Sequence, residues 1–461
     1  MARESDDDAL LFDAARRAVD YLHAVQSRAV APSAQAVAAL AELNEPLPRG
    51  TSDPREVLAM LDRIVTPATM AMAGPRFFGF VIGGALPSTV AANWLATAWD
   101  QNTGLYEVTP GVSQLEQVAL RWMLELFGLP PSCAGAFVTG ATMANFTGLA
   151  AARHHVLKQV GWNVEAQGLF GAPPITVIVS AEVHPTLIKS LGLLGLGRSR
   201  VTRVAVDDQG RMCADQLPRI EGPTIVCLQA GNVNTGSFDP IAEIGPRARA
   251  SGAWVHVDGA FGLWARASGE LSGRAAGLEH ADSWATDAHK WLNVPYDSGV
   301  AFVREPTALP AAMAITAEYL PTDTPGRNPS DFTPELSRRA RGVEVWTALR
   351  TLGAAGVAEM IERNCRQARR FAAGLRAAGF AILNDVVLNQ VLVSFGDAAR
   401  TREVIAAIQQ EGTCWCGVTV WQGQTAMRIS VCSWATTVAD VERSLDAMIR
   451  VARQRGPSHE L

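Results

Sequence analysis

The strongest constraint on this chain is a repeated alternation through its middle. Short apolar runs are followed, one after another, by stretches with helical patterning. G-A-F-V-T-G (135–140) precedes a helix expected to start near Thr142, I-T-V-I-V-S (175–180) precedes one around Pro185, and T-I-V-C-L-Q-A (224–230) precedes one near Pro240. W-V-H-V-D (254–258) and S-W-A-T-D-A-H (283–289) read as two further strands. Strands alternating with helices in this way specify a mostly parallel, doubly wound α/β sheet. Ligands of such sheets sit beyond the carboxyl ends of the strands. The chemically suggestive residues of this chain follow those same runs.

The flanks differ from the middle. Leu10, Leu11, Ala14, Ala18 and Leu22 fall at helical spacing, and prolines at 32 and from 46 to 54 follow, which predicts a helical N-terminal arm over 1–73. A large domain is expected over 74–344. From about Val345 a long helical segment gives way to F-A-I-L-N (380–384), Q-V-L-V-S-F (390–395), a helix, A-M-R-I-S-V (426–431) and a last helix to about Arg453, a small α+β domain over 345–461. With 48% hydrophobic and 18% charged residues in 461, the chain excludes disorder and has ample core. A net charge of −5 gives no reason to expect nucleic acid or an anionic membrane as partner. The acidic start, M-A-R-E-S-D-D-D, lacks a signal peptide's basic and apolar regions, and no run is long enough to cross a bilayer. Seven cysteines without a C-x-x-C pair read as reduced structural thiols, with no metal site. A cytoplasmic location is expected.

Two of the strand ends carry groups that belong together chemically. H-V-D-G-A (256–260) ends a strand with Asp258, and D-A-H-K-W (287–291) ends a later one with Lys290. Pyridoxal 5′-phosphate chemistry needs both: a lysine to form a Schiff base with the cofactor aldehyde, and an ionised acid beside the pyridine nitrogen to keep it protonated and electron-accepting. T-G-A-T-M-A-N (139–145) opens a helix, and a helix N-terminus offers free N–H groups and a positive dipole end to a phosphate.

These elements together resemble the group II pyridoxal-phosphate-dependent decarboxylases, which include the aromatic-L-amino-acid, glutamate and tyrosine decarboxylases. The resemblance runs from P-R-F-F-G-F (75–80) to M-R-I-S-V-C (427–432). It implies the aspartate aminotransferase superfold: a mostly parallel seven-stranded sheet with helices on both faces, a small C-terminal α+β domain, and a homodimer with active sites at the interface. It also implies roles for individual residues. Lys290 is the Schiff-base lysine, Asp258 the partner of the pyridine nitrogen, and Ala260 a contact of one ring face. His184, in S-A-E-V-H-P, stacks on the ring near the substrate carboxylate and is, beside Tyr319, a candidate to deliver the proton. Gly140, Ala141, Thr142 and His289 reach the phosphate. Many relatives carry asparagine where this chain has Asp287; a carboxylate there would repel phosphate, so Asp287 either points away or is offset by a cation. Asn232, in A-G-N-V-N-T-G, either bonds the cofactor or substrate or serves a turn. Tyr319 matches a mobile-loop tyrosine that delivers a proton in amine-forming relatives. Phe80, Val81, Ile82 and Tyr106 match the substrate side-chain pocket, and no arginine falls in that segment. Arg338, Arg339 and Arg341 read as ion-pair partners at the domain junction, with phosphate binding across the dimer by one of them as the alternative. Arg428 stands where aminotransferases of this superfold hold a substrate carboxylate, an analogy of fold alone.

The expected activity is decarboxylation of an apolar or aromatic L-amino acid to the amine and CO2. The alternatives are an aldehyde synthase or aminotransferase of the same fold and, from another class, a catalytically silent cofactor-binding paralogue. The joint presence of Lys290, Asp258, His184 and Tyr319 speaks against the last.

Overall fold

In the computed structural model, which describes residues 2–315 and 325–455, the apolar runs of the middle region become the strands of one sheet. Ala134–Val138 (β1), Thr176–Ser180 (β2), Val201–Val204 (β3), Thr224–Gln229 (β4), Trp254–Asp258 (β5), Ser283–Asp287 (β6) and Gly299–Val303 (β7) lie in the order β1-β7-β6-β5-β4-β2-β3. The pairs from β3 through β2, β4 and β5 to β6 are parallel, and β7 runs antiparallel between β6 and β1. Strands β1, β4, β5, β6 and β7 are buried along their whole length, which is why they lack the apolar-in, polar-out alternation of a half-exposed strand. Helices Ala141–Lys158, Pro185–Leu193 and Ile241–Ala250 follow β1, β2 and β4, as the sequence predicts. Two strands escape the sequence reading. β3 is an edge strand with two exposed residues, V-T-R-V, and β7 follows β6 with no helix between them.

The C-terminal part builds a second sheet from Ala381–Ile382 (β8), Gln390–Ser394 (β9), Gly417–Trp421 (β10) and Gln424–Ser430 (β11), in the order β10-β11-β9-β8. Helices Ala398–Glu411 and Val438–Gln454 pack on it, and Phe371, Val393, Ile408, Met427, Ile429 and Met448 share its core. The helix from Gly342 to Ala377 links the two sheets and breaks at Gly353, whose φ of 61° belongs to the left-handed region that favours glycine. The Phe77–Phe78 segment stitches the parts together: the Phe78 N–H donates to the Trp415 carbonyl and the Ser430 N–H donates to the Phe78 carbonyl. The basic stretch is consumed in ion pairs. Arg338 holds Glu116 in a bidentate, buried pair at 2.8 and 3.1 Å, Arg341 meets Asp297 at 2.8 Å, and Arg339 pairs with Glu344. Among the described residues, no helix is long and apolar enough to cross a membrane.

Candidate active site

A parallel sheet delivers the ends of its strands to one edge, and here that edge encloses a cavity of about 480 Å3. Asp258, the last residue of β5, stands on the cavity floor with only 5% of its surface exposed. A charged carboxylate that dry needs donors. It has two: the Ala260 N–H donates to Oδ1 at 3.2 Å and the Asn145 amide donates to Oδ2 at 3.1 Å.

β6 ends at Asp287, and the turn after it carries His289 and Lys290 into the same cavity. Lys290 Nζ lies 2.7 Å from Asp287 Oδ2. Asp287 Oδ1 accepts the Ala141 N–H at 2.5 Å and lies 3.4 Å from His289 Nε2. Of the two possibilities for Asp287, offset by a cation is therefore the one realised, and the cation is Lys290. Ala141 lines the cavity, but its N–H is committed to this carboxylate. Gly140, the N-cap of the Ala141 helix, makes no side-chain cap, and a Cβ there would sit 3.1 Å from His289 Cε1. His289 Nδ1 accepts the Ser298 N–H at 3.0 Å, so its Nε2 bears the proton toward Asp287, and its ring stacks on Tyr296 at 4.2 Å. Burial lowers the pKa of His289 and keeps it neutral near pH 7.

His184 caps the Pro185–Leu193 helix. Its Nδ1 accepts from the Thr186 N–H at 3.3 Å and pairs with the Thr186 hydroxyl at 2.6 Å, which leaves Nε2–H as the donor of the neutral ring. Burial is the largest influence on its pKa, lowering it, and the nearby Asp258 carboxylate only partly offsets this.

The cavity mouth is built differently. Phe80 and Val81 line it with φ of 54° and 59°, left-handed values that are strained for an aromatic and a β-branched residue. Next to them, Gly83 crosses the lysine segment so closely that a Cβ would lie 1.8 Å from the Lys290 carbonyl oxygen. Phe80 stacks on Trp415, and Trp415 on Phe77. Arg428, from β11, closes the far side.

Of the residues singled out from sequence, Lys290, Asp258, His184, Ala260, Gly140, Ala141, Thr142, His289, Phe80 and Val81 meet at this cavity. Three do not. Ile82, one residue past the left-handed pair, packs instead against Val25, Val30, Ala71 and Phe77. The Tyr106 N–H donates to Asn328 and its ring lies against Gly326. Asn232 is used up in a turn: its Oδ1 accepts the N–H groups of Asn234 and Thr235, and its amide donates to Glu182 at 3.0 Å. The turn alternative for Asn232 is the one that fits. Tyr319 lies outside the described residues. Thr139, Thr186, Gln229, Phe261 and Tyr296 line the cavity without having been singled out; each follows or flanks a recognised strand end, which is the only signal the sequence offered.

The donor set suits pyridoxal phosphate. A primary amine, a dry carboxylate, a neutral imidazole and the start of a helix whose N-cap, Gly140, has no side chain share one cavity, and that glycine leaves room beside His289. Comparison with known proteins agrees. The pyridoxal-dependent decarboxylase conserved domain matches residues 38–396.

This chain belongs to the pyridoxal-dependent decarboxylases.

It is accordingly a carboxy-lyase that uses pyridoxal 5′-phosphate. The decarboxylase is 28% identical over 372 residues to an aromatic-L-amino-acid decarboxylase of Bacillus atrophaeus, covering 78% of this chain and 75% of that one. It is also 28% identical over 462 residues to an L-2,4-diaminobutyrate decarboxylase of Rhizobium meliloti (strain 1021), covering 96% and 90%. In fold it is similar to Oryza sativa TDC solved with PLP and tryptamine, with a TM-score of 0.90 at 22% identity over 98% of both chains.

Proposed function

We propose that this decarboxylase acts on an L-amino acid with an apolar or aromatic side chain and releases CO2 and the matching amine. The observation that carries the reading is the meeting of Lys290, Asp258, His184 and Arg428 on one cavity with an apolar mouth. When bound, pyridoxal phosphate supplies an aldehyde that captures amines and a ring that accepts an electron pair. Lys290 Nζ would hold that aldehyde, with Asp287 as its counter-ion. Asp258 would face the ring nitrogen, and an anion there favours the protonated nitrogen. Ala260 and His184 would flank the ring, and Gly140, Ala141, Thr142 and His289 would stand at the phosphate end.

Arg428 supports carboxylate recognition. It is half-buried, burial lowers its pKa, and among the described residues no carboxylate lies within ion-pair distance of it; it donates to the Val233 carbonyl at 3.3 Å. A guanidinium drawn partly out of water without an anion is costly, and a substrate carboxylate reduces that cost. His184 Nε2–H is free to donate to a substrate oxygen. Phe80, Val81, Val233 and Phe261 offer apolar surface to the side chain, and the 80–83 segment adds no cation for an acidic one. Exposed Phe12, Leu61, Trp94 and Leu95 support burial of the N-terminal helices against a second copy in a homodimer.

The test is a screen of the reconstituted enzyme for CO2 release from the common L-amino acids, with glutamate and 2,4-diaminobutyrate included. Aromatic and apolar substrates should give the highest kcat/KM; a maximum at glutamate or the diamino acid overturns the substrate reading. The product is tested through Tyr319, assigned from sequence alone as the proton donor. Tyr319→Phe should keep CO2 release while amine yield falls and aldehyde and peroxide rise under air. Unchanged amine formation without peroxide makes Tyr319 an ordinary loop residue.

A further inference from the structure

Behind Asp258, away from the cavity, four buried side chains form a single line of hydrogen bonds. The Trp254 indole N–H donates to Ser283 Oγ at 2.8 Å, Ser283 Oγ pairs with His256 Nδ1 at 2.7 Å, His256 Nε2 pairs with Asn145 Oδ1 at 2.8 Å, and the Asn145 amide donates to Asp258 Oδ2 at 3.1 Å. Asn145, His256 and Ser283 have no exposed surface and Trp254 only 2%. The residues come from β5, β6 and the Ala141 helix, and Trp254, His256 and Asp258 alternate along β5, so the line runs along one face of the sheet and ends at the cavity floor.

The direction of every bond follows from its two ends. An anionic Asp258 only accepts, so the Asn145 NH2 must face it and the Asn145 oxygen must face His256. His256 Nε2 then has to carry a proton, because a bare nitrogen would oppose the oxygen. Its Nδ1 is therefore an acceptor and takes the Ser283 hydroxyl proton. Ser283 Oγ in turn accepts from Trp254, which can only donate. All dipoles point their positive ends toward Asp258, and bonds aligned in this way strengthen one another in a dry interior. The ring stays neutral: burial pushes the His256 pKa down to about 3. The helix makes room for it. Gly148 lies mid-helix, where glycine costs about 1 kcal/mol relative to alanine, and a Cβ there would come within 3.1 Å of His256 Cε1.

We propose that Asn145 and His256, backed by Ser283 and Trp254, are positioning residues that orient the Asp258 carboxylate and so set the protonation of the cofactor's ring nitrogen. The inference rests on Asp258 facing that nitrogen, as proposed above. An isolated apolar floor would leave Asp258 with the Ala260 N–H alone, and a buried carboxylate oxygen without a donor is neither solvated nor fixed in direction. The line supplies the second donor and fixes its orientation through three further residues.

The test uses holoenzyme reconstituted with cofactor labelled with 15N in the ring, whose nitrogen shift reports protonation directly. Wild type should show a protonated ring nitrogen. Asn145→Leu and His256→Leu should move the shift toward the unprotonated value and lower kcat at least about tenfold, the loss of one charge-assisted bond, with KM little changed. His256→Gln can still donate to Asn145 and should keep both properties within about threefold. Asp258→Ala separates the two readings. If it leaves the ring nitrogen protonated, Asp258 itself is misassigned. If it deprotonates the nitrogen while both Leu variants leave the shift and kcat unchanged, only the present inference fails. Should the Leu variants not fold, the 15N spectrum of the wild-type histidines decides: His256 with its proton on Nε2 is required, and a proton on Nδ1 overturns the inference.

Discussion

The floor and the mouth of the cavity are made on opposite principles. The floor consists of strand ends from a sheet buried on both faces. Its polar groups are dry, and each is held by named partners: Asp258 by Ala260 and Asn145, Asp287 by Lys290 and Ala141, His289 by Ser298. The mouth consists of a strained left-handed pair, an aromatic stack contributed by the C-terminal part, and an arginine without an anionic partner among the described residues. Phe80 keeps 62% of its surface exposed, against 5% for Asp258. A fixed, dry floor suits chemistry common to a family, because preorganised charge there acts without reorganisation. A loosely covered mouth suits selection among side chains, since apolar contacts discriminate only modestly.

Substitutions should divide along the same line. Asp258→Asn keeps the shape of the floor and removes its charge, so kcat should fall about a hundredfold or more, read by steady-state CO2 release. A rate within about threefold of wild type would erase the distinction between floor and mouth. Phe80→Ala should act mainly on KM, by about tenfold at most for an aromatic substrate, with kcat nearly unchanged. A large loss in kcat with KM intact would make Phe80 part of the chemistry.

The dryness of the floor also has a pH signature. His256 takes up a proton near pH 6.5 when unfolded and only near pH 3 when folded. Below pH 6.5 the unfolded state then binds more protons, so stability is lost as the pH falls from 6.5 toward 3, by about 1 kcal/mol per pH unit for this group. His184 and His289, also shifted down by burial, act in the same direction. Asp239, raised by burial to about 6, acts in the opposite one. The histidine term is isolated by difference: urea unfolding at pH 7 and pH 5 should show His256→Gln losing less stability on acidification than wild type. Equal losses would mean that the histidine is not held neutral.

What the sequence disclosed follows the same division. Strands buried on both faces leave unbroken apolar runs, so β1, β2, β4, β5 and β6 were legible, and so were the polar residues that end them. Val201–Val204 is half exposed at the sheet edge, and Gly299–Val303, though buried and apolar, follows β6 with no helix between them, so the strand–helix alternation does not mark it. The mouth was harder. Ile82 was assigned beside Phe80 and Val81, but two consecutive left-handed residues turn the chain and send it to another cluster. Nothing in the residue types of F-V-I announces such a turn. Arg428 reached the cavity from β11, far along the chain, and only the fold brings it there. His256 stood within a recognised strand, yet its partners Asn145 and Ser283 come from other elements, and no local pattern links the three.

The central claim is that Lys290 is the amine that holds the cofactor, and it can be read without measuring turnover. Holoenzyme reduced with borohydride traps the cofactor on whatever amine bears it, and peptide mapping by mass spectrometry locates the mass increase. The account predicts a single modified peptide carrying the increase on Lys290, and none in Lys290→Ala. Modification of another lysine in the wild type, or a comparable label persisting in Lys290→Ala, would contradict it.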